Sequence, residues 1–275
     1  MKPILKWAGG KRQLLNSIKD NLPTKMDGSY YEPFFGGGAL FFEIAPTRAY
    51  LNDLNEDLIG VYNVFFDKNN LNKLMNLLLD HQKNHSKEYF YLTRALDRMK
   101  GYSRLNAIKK AARLVYLNKS CFNGLYRVNA DGYFNVPFNQ SKKVNLFDKN
   151  NYEYIHSFFS KNSIIFSSKN YSDALKGIKK GDFVYFDPPY DDLENKKSFT
   201  SYNKAGFTRD NQIELAKLFK SLSEKGVNCL LSNHDTEFIL SLYSEFNIVK
   251  VKALRMINSK IEGRKAINEV LIRNY

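Results

Sequence analysis

A short apolar run that ends in an acid and two prolines, Phe183-Val184-Tyr185-Phe186-Asp187-Pro188-Pro189-Tyr190, constrains this chain more than any other stretch. A buried strand of aromatic and β-branched residues carries whatever follows it to the carboxyl edge of an α/β sheet, where such sheets place their ligands. Consecutive prolines fix φ, and Pro189 forces Pro188 into an extended conformation. The Asp187 carboxylate and the Pro188 carbonyl are then a rigid pair of hydrogen-bond acceptors, which suits an NH2 group. Tyr190 offers a flat face for a base, worth about 1–3 kcal/mol when one stacks. The plainer reading of the same letters is a strand followed by a proline-rich turn with a surface tyrosine.

A second segment, Tyr31-Glu32-Pro33-Phe34-Phe35-Gly36-Gly37-Gly38-Ala39-Leu40, has the form of a short strand, a glycine turn and a helix opening at Ala39. Successive glycines allow positive φ and let backbone approach a ligand closely. No lysine of the phosphate-loop kind follows them, which argues against a triphosphate. Further on, Ala49-Tyr50-Leu51 leads into Asn52-Asp53-Leu54-Asn55, so a carboxylate stands where ribose hydroxyls are commonly bound. Asp53 serves equally well as the N-cap of a helix beginning near Asp57, and both readings stay open.

Strands predicted over Tyr30–Pro33, Ala49–Leu51, Ile164–Ser167, Phe183–Phe186, Asn228–Ser232 and Glu269–Arg273 alternate with helical stretches at Ser17–Asn21, from Leu58 onward and at Asp210–Lys225. That alternation predicts the α/β class. Asn72–Gln82, Ser86–Met99 and Arg104–Asn118 carry apolar residues at three- and four-residue intervals with almost no strand signal. Residues 61–154 therefore read as a mainly helical insertion between 1–60 and 155–275. Within it, Asn129-Ala130-Asp131-Gly132-Tyr133 has the Asp-Gly signature of a tight hairpin. With Arg127 before it and Asn135 after it, such a hairpin can probe a groove.

Length and charge narrow the partners. A chain of 275 residues, 43% of them hydrophobic, buries one good core with a smaller appended lobe. Its 42 Lys and Arg against 28 Asp and Glu give a net charge of +14, which favours a polyanion. Nucleic acid fits better than a membrane, because no long apolar run is present. Cys121 and Cys229 match no zinc or redox spacing, and the histidines form no metal-ligand pattern, so no metal is expected. The segment Met1-Lys2-Pro3 lacks an apolar signal core, which predicts a cytoplasmic location.

Seven blocks then occur in order: Lys6-Trp7-Ala8-Gly9-Gly10-Lys11, Glu32-Pro33-Phe34-Phe35-Gly36-Gly37-Gly38, Asn123-Gly124-Leu125-Tyr126-Arg127, Phe134-Asn135-Val136-Pro137-Phe138, Asp187-Pro188-Pro189-Tyr190, Phe199-Thr200-Ser201-Tyr202 and Ser232-Asn233-His234-Asp235-Thr236. Together they resemble the Dam-type DNA adenine-N6 methyltransferases of the D12 class, which modify GATC, and the resemblance spans almost the whole chain. It implies a Rossmann-like, S-adenosylmethionine-dependent methyltransferase sheet formed by 1–60 and 155–275. The helical insertion 61–154 becomes a target-recognition domain carrying a β-hairpin. The implied reaction moves a methyl group from S-adenosylmethionine to N6 of an adenine flipped out of double-stranded GATC. A monomer or weak dimer is implied, with a restriction endonuclease encoded separately as a companion.

The resemblance also implies roles. Asp187, Pro188, Pro189 and Tyr190 form the catalytic set. Trp7, Lys11, Phe34, Phe35, Gly36, Gly37, Gly38, Asp53, Asn170, Tyr171 and Asp187 bind the cofactor, with Lys11 pairing its carboxylate and Trp7 or Phe35 facing its sulfonium. Lys6, Phe122, Asn123, Leu125, Arg127, Asn135 and Pro137 contact DNA. Arg127 would bond guanine O6 and N7 together, and Leu125 and Pro137 would touch the central base pairs. Plainer readings exist for each: a phosphate anchor for Arg127, hairpin packing for Leu125 and Pro137, a solvated Lys6, and strand-end packing for Asn170-Tyr171. His234 is not required as a base, since methyl transfer needs no strong one. The chain departs from the family at Asn139-Gln140-Ser141, where Gly-Arg-Tyr is common; Lys142 and Lys143 follow and can supply a phosphate contact.

Two rival readings differ in kind. A cytosine-N4 or other amino-methyltransferase would share the cofactor fold and the four-residue motif, but the blocks at Asn123–Arg127 and Phe134–Phe138 tilt against it. A non-catalytic DNA-binding module would have no use for Gly36–Gly38, Asp53 and Asp187–Tyr190 together.

Overall fold

The computed structural model describes residues 1–7, 9, 11, 13–192, 206–254 and 266–275. Ala8, Gly10 and the block Phe199-Thr200-Ser201-Tyr202 lie outside the described residues. Along the chain the elements are α1 (Leu15–Asp20), β1 (Tyr30–Glu32), α2 (Ala39–Ile44), β2 (Arg48–Asn52), α3 (Glu56–Asn63), α4 (Lys68–Lys83), α5 (Lys87–Ala95), α6 (Ala107–Ser120), α7 (Lys149–Lys161), β3 (Ser163–Ser167), α8 (Tyr171–Ala174), β4 (Phe183–Phe186), α9 (Arg209–Glu224), β5 (Asn228–His234), α10 (Glu237–Leu242), β6 (Asn247–Leu254) and β7 (Ala266–Arg273). They fall into two compact units. One comprises Met1–Gly10, Gly36–Thr47 and Asp53–Ser168; the other comprises Lys11–Phe35, Arg48–Asn52 and Lys169–Tyr275.

The second unit is α/β, as the strand–helix alternation predicts. Its strands run in the order β2-β1-β4-β5-β7-β6, parallel from β2 to β5 and antiparallel from β5 through β7 to β6. All four residues of β4 are buried, which is why it reads as an unbroken apolar run. A capping box between Thr208 and Asn211 opens α9. That helix then lays Leu215, Phe219 and Leu222 in one core with Val184, Phe186, Leu231, Val270 and Ile272. Each such large side chain contributes about 1.5–3 kcal/mol on burial.

Register decides what meets at the carboxyl edge. Phe186 pairs with Leu231, so Asp187, the first residue past β4, stands level with Ser232 inside β5. His234 pairs with Glu269 across the antiparallel step. The strand β6 lies outside the predicted set, although its alternation of Val249, Val251 with Lys250, Lys252 is a strand signal. Lysines on an edge strand also oppose pairing with other chains.

The first unit is mainly helical, with α3, α4 and α5 packed on α6. Ten residues of α6 are buried, among them Leu114, Val115, Tyr116 and Leu117. The expected tight turn is present: Asn129 N–H donates to Tyr133 O at 2.8 Å, and Gly132 takes φ 83°. Its arms carry two isolated antiparallel bridges, Val128 to Phe134 and Cys121 to Phe138, in place of a continuous ladder. The backbone of Phe134–Val136 is bonded to side chains of Arg94, Asp97 and Arg98. Among the described residues, no helix is long and apolar enough to cross a membrane.

Candidate active site and nucleic-acid interface

In the α/β unit, the Asp187 carboxylate receives two donors at the end of β4. Lys11 Nζ lies 2.8 Å from Oδ1, and Ser232 Oγ donates to the same oxygen at 3.1 Å. The Asp187 side chain is 21% exposed, so a ligand can still reach it. Burial pushes its carboxyl above the usual range, while the Lys11 charge and hydrogen bond, and then Ser232, pull it back. Lys11, expected to pair a cofactor carboxylate, here neutralises Asp187. Its ammonium also lies 4.2 Å from the centre of the Tyr190 ring, an attraction of about 0.5–2 kcal/mol.

Tyr190 is held by its rim. The phenol donates to Glu269 Oε2 at 2.9 Å, and the ring meets His234 at 80° with centroids 4.8 Å apart. Burial, reinforced by the Asp187 charge, raises the phenol well above its ordinary range and keeps it a neutral donor. The His234 Nδ1 lies 2.6 Å from the Asp191 carbonyl, so that nitrogen carries the proton and the ring is a structural donor. Ser232 Oγ additionally meets the buried Tyr185 hydroxyl at 3.0 Å.

Several residues outside the predicted set hold this edge together. Asp191, 6% exposed, accepts Arg209 Nε at 3.1 Å and Thr236 Oγ1 at 2.9 Å. Gln212 Nε2 donates to the Pro189 carbonyl at 2.8 Å. Asn52, buried at the end of β2, donates to the carbonyls of Pro33 and Lys169 and accepts from Lys169 N–H. It thereby ties the turn after β1 to the loop before Asn170. Asn170 is the N-cap of α8, and Tyr171 stacks on Phe34 with centroids 5.1 Å apart. Phe207 meets Phe34 edge-on, whereas Phe35 is buried at 2% exposure. A buried Asn or Gln within a strand–turn pattern is the one sequence signal that points to such anchors.

In the helical unit, Asp53 is half-buried and is not the helix cap; Asn55 caps α3 by accepting from Leu58 N–H. Asp53 Oδ2 accepts from Gly36 N–H and Oδ1 from Asn55 N–H, both at 2.9 Å. Burial raises its carboxyl and these two donors lower it. Each oxygen keeps a lone pair for a further donor, the chemistry that a ribose diol requires. Trp7 packs against the glycine turn: a Cβ on Gly36 would meet its ring at 3.0 Å, and one on Gly37 its Cβ at 3.2 Å. Its other neighbour is Tyr126, stacked with centroids 5.2 Å apart. Gly38, at φ 64°, precedes α2.

The expected DNA-contacting residues are clustered in the same unit. Asn118 accepts Lys6 N–H and donates to the Lys6 and Gly124 carbonyls, stitching the two segments together. The Lys6 stem crosses Gly124 so closely that a Cβ there would lie 2.6 Å from it. Phe122 is 53% exposed, and the adjacent Asn123 adopts φ 55°. Pro137 is exposed, while Leu125 is partly buried. Arg127 is exposed and donates Nε to Asn135 Oδ1 at 2.7 Å, with Nη2 at 3.5 Å from the Asn135 carbonyl.

Residues 7–257 match the family described as D12 class N6 adenine-specific DNA methyltransferase, whose members use S-adenosylmethionine as methyl donor. The chain is 42% identical over 275 residues to the type II methyltransferase M1.LlaDCHI of Lactococcus lactis subsp. cremoris, covering 100% of this chain and 96% of that protein. It is 40% identical over 294 residues to the type II methyltransferase M.MjaIII of Methanocaldococcus jannaschii, covering 100% and 99%. With the DNA adenine methylase of Escherichia coli K12 it shares 32% identity over 271 residues, covering 98% and 94%. Likeness at near-complete length on both sides, with the carboxylate–proline edge in place, has one reading: this chain belongs to the D12 class and is a site-specific, adenine-directed DNA methyltransferase.

Proposed function

We propose that this enzyme methylates N6 of adenine in double-stranded GATC, with Asp187 and the Pro188 carbonyl accepting the hydrogens of the target amine. The amine of adenine is a poor nucleophile because its lone pair is delocalised into the ring. Two fixed acceptors bias the nitrogen toward tetrahedral geometry, and positioning supplies much of the acceleration. The observation that carries this reading is the Asp187 carboxyl, paired with Lys11, bonded by Ser232 and still partly exposed. Tyr190 supplies a ring for the adenine, which must leave the duplex to reach it.

S-adenosylmethionine, when bound, supplies an electrophilic methyl group on a sulfonium. Asp53 suits its ribose hydroxyls, Gly36–Gly38 and Trp7 shape the turn beside it, and the Phe34–Tyr171 pair offers an aromatic surface to its base. Lys11, Phe35 and Asn170 complete the proposed cofactor set. Residues 61–154 are assigned to target recognition, with Arg127 reading guanine and Lys6, Phe122, Asn123, Leu125, Asn135 and Pro137 contacting DNA beside it. A companion endonuclease encoded separately would account for a site-specific mark.

The test is modification mapping. The recombinant protein is given DNA carrying every four-base context, and methylated adenines are located by sequencing. Methylation confined to GATC is the expected outcome, and a different motif would reassign the target. Asp187→Ala should reduce turnover more than tenfold, a loss above about 1.4 kcal/mol, and a variant retaining more than about a tenth of wild-type turnover would remove the carboxylate from its role.

A further inference from the structure

We propose that Gln212 is a positioning residue for methyl transfer, holding the backbone of Pro189-Tyr190-Asp191 in its working geometry. The inference rests on the assignment of Asp187–Tyr190 as the amine-accepting site. Gln212 lies in the first turn of α9 and is 1% exposed. Its Nε2 donates to the Pro189 carbonyl at 2.8 Å, and its Oε1 accepts from Asn233 Nδ2 at 3.2 Å. Asn233, fully buried at the end of β5, accepts the Asp191 N–H on Oδ1 at 3.0 Å. One pair of buried amides therefore grips the carbonyl just before Tyr190 and the N–H just after it.

The chemistry of the motif explains why such a grip is needed. Pro188 and Pro189 have no N–H, so the loop cannot be secured from their nitrogens and must be held by its carbonyls and by the N–H groups that follow. A side-chain amide donates and accepts at once. A carboxylate at 212 would set an anion against the Pro189 carbonyl, and a hydrocarbon would leave buried backbone and Asn233 groups unpaired. Asp191 extends the hold through Arg209 and Thr236. Rotation of the peptide between Pro189 and Tyr190 would carry the Tyr190 ring with it and disturb the Pro188 carbonyl. Within the loop Gln212 holds the Pro189 carbonyl, and it acts on the amine through that backbone and through Asn233.

The experiment compares wild type, Gln212→Met, Arg209→Gln and Asp187→Ala as full-length proteins. It measures single-turnover methylation at saturating DNA and S-adenosylmethionine, and separate dissociation constants for both ligands. Gln212→Met should lower the single-turnover rate at least tenfold while both dissociation constants stay within twofold. Arg209→Gln, whose side chain is 51% exposed and tolerant of replacement, should lose several-fold in the same rate. If Gln212→Met does not fold, Arg209→Gln decides alone. A rate within twofold of wild type in the deciding variant overturns the proposal, as does a loss confined to either dissociation constant. Asp187→Ala separates the levels: substantial activity there would sink the site assignment and this inference with it. An inactive Asp187→Ala beside a fully active Gln212→Met would sink the positioning role alone.

Discussion

Asp187 titrates under opposed influences, and their balance gives a measurable pH profile. Burial raises its carboxyl, and Lys11 and Ser232 lower it, with burial winning. A raised acid pKa means that the protonated form persists to higher pH. Methylation that depends on the carboxylate should therefore fall as pH drops through a point above the ordinary value of 3.8. Ser232→Ala removes one lowering influence, so the acid limb should move to higher pH in single-turnover profiles. A limb unmoved by that change would assign the titration to another group. At the other site, Arg127 bonds Asn135 through Nε and, at 3.5 Å, through Nη2, which leaves Nη1 and one Nη2 hydrogen for a base edge. Arg127→Ala should cost about 1–3 kcal/mol on GATC and relax discrimination at a single base pair, read from methylation rates on single-base variants. Equal losses on every variant would make it a phosphate anchor.

The turn that carries Arg127 and Asn135 is held by a helix rather than by a strand ladder. Asp97, in the single helical turn Leu96–Arg98 that follows α5, accepts Phe134 N–H at 2.8 Å and pairs with Arg113 at 2.8 Å. Arg113 is 5% exposed and also donates to the carbonyls of Thr93 and Arg94. Removing the carboxylate strands a buried guanidinium. Asp97→Ala should thus lower unfolding free energy by about 3–5 kcal/mol, measured by denaturant titration. A change below 1 kcal/mol, roughly the value of a surface pair, would show that Arg113 is satisfied without it. The Asp-Gly signature located this turn from local chemistry. Its anchoring was not legible, because Asp97 and Phe134 are brought together by helix packing and not by any spacing along the chain.

Taken whole, the molecule carries +14, and that charge has a thermodynamic consequence. Each phosphate contact on DNA releases counterions and adds about −0.9 to the slope of log K against log salt. A slope of several units is expected for duplex binding, and a flat plot would leave the basic surface without its partner. Periodicity, proline chemistry and glycine clustering are properties of neighbouring residues. From them alone the chain announces β4, the helix opening at Ala39, the α9 helix and the Asp187-Pro188-Pro189-Tyr190 edge. Asp53 is ambiguous at that level, since a strand-end acid fits a cap as well as a ribose; the fold gives the cap of α3 to Asn55 and turns Asp53 to the Gly36 N–H. The partners of Asp187 and Tyr190 were out of reach for a related reason. Lys11, Ser232, Glu269 and the Gln212–Asn233 amide pair come from remote segments, and which of them meet depends on strand order and register. Those are set by the packing of the whole sheet, because a shift of one residue in β5 would turn Ser232 and Asn233, and one in β7 would turn Glu269, to the opposite face.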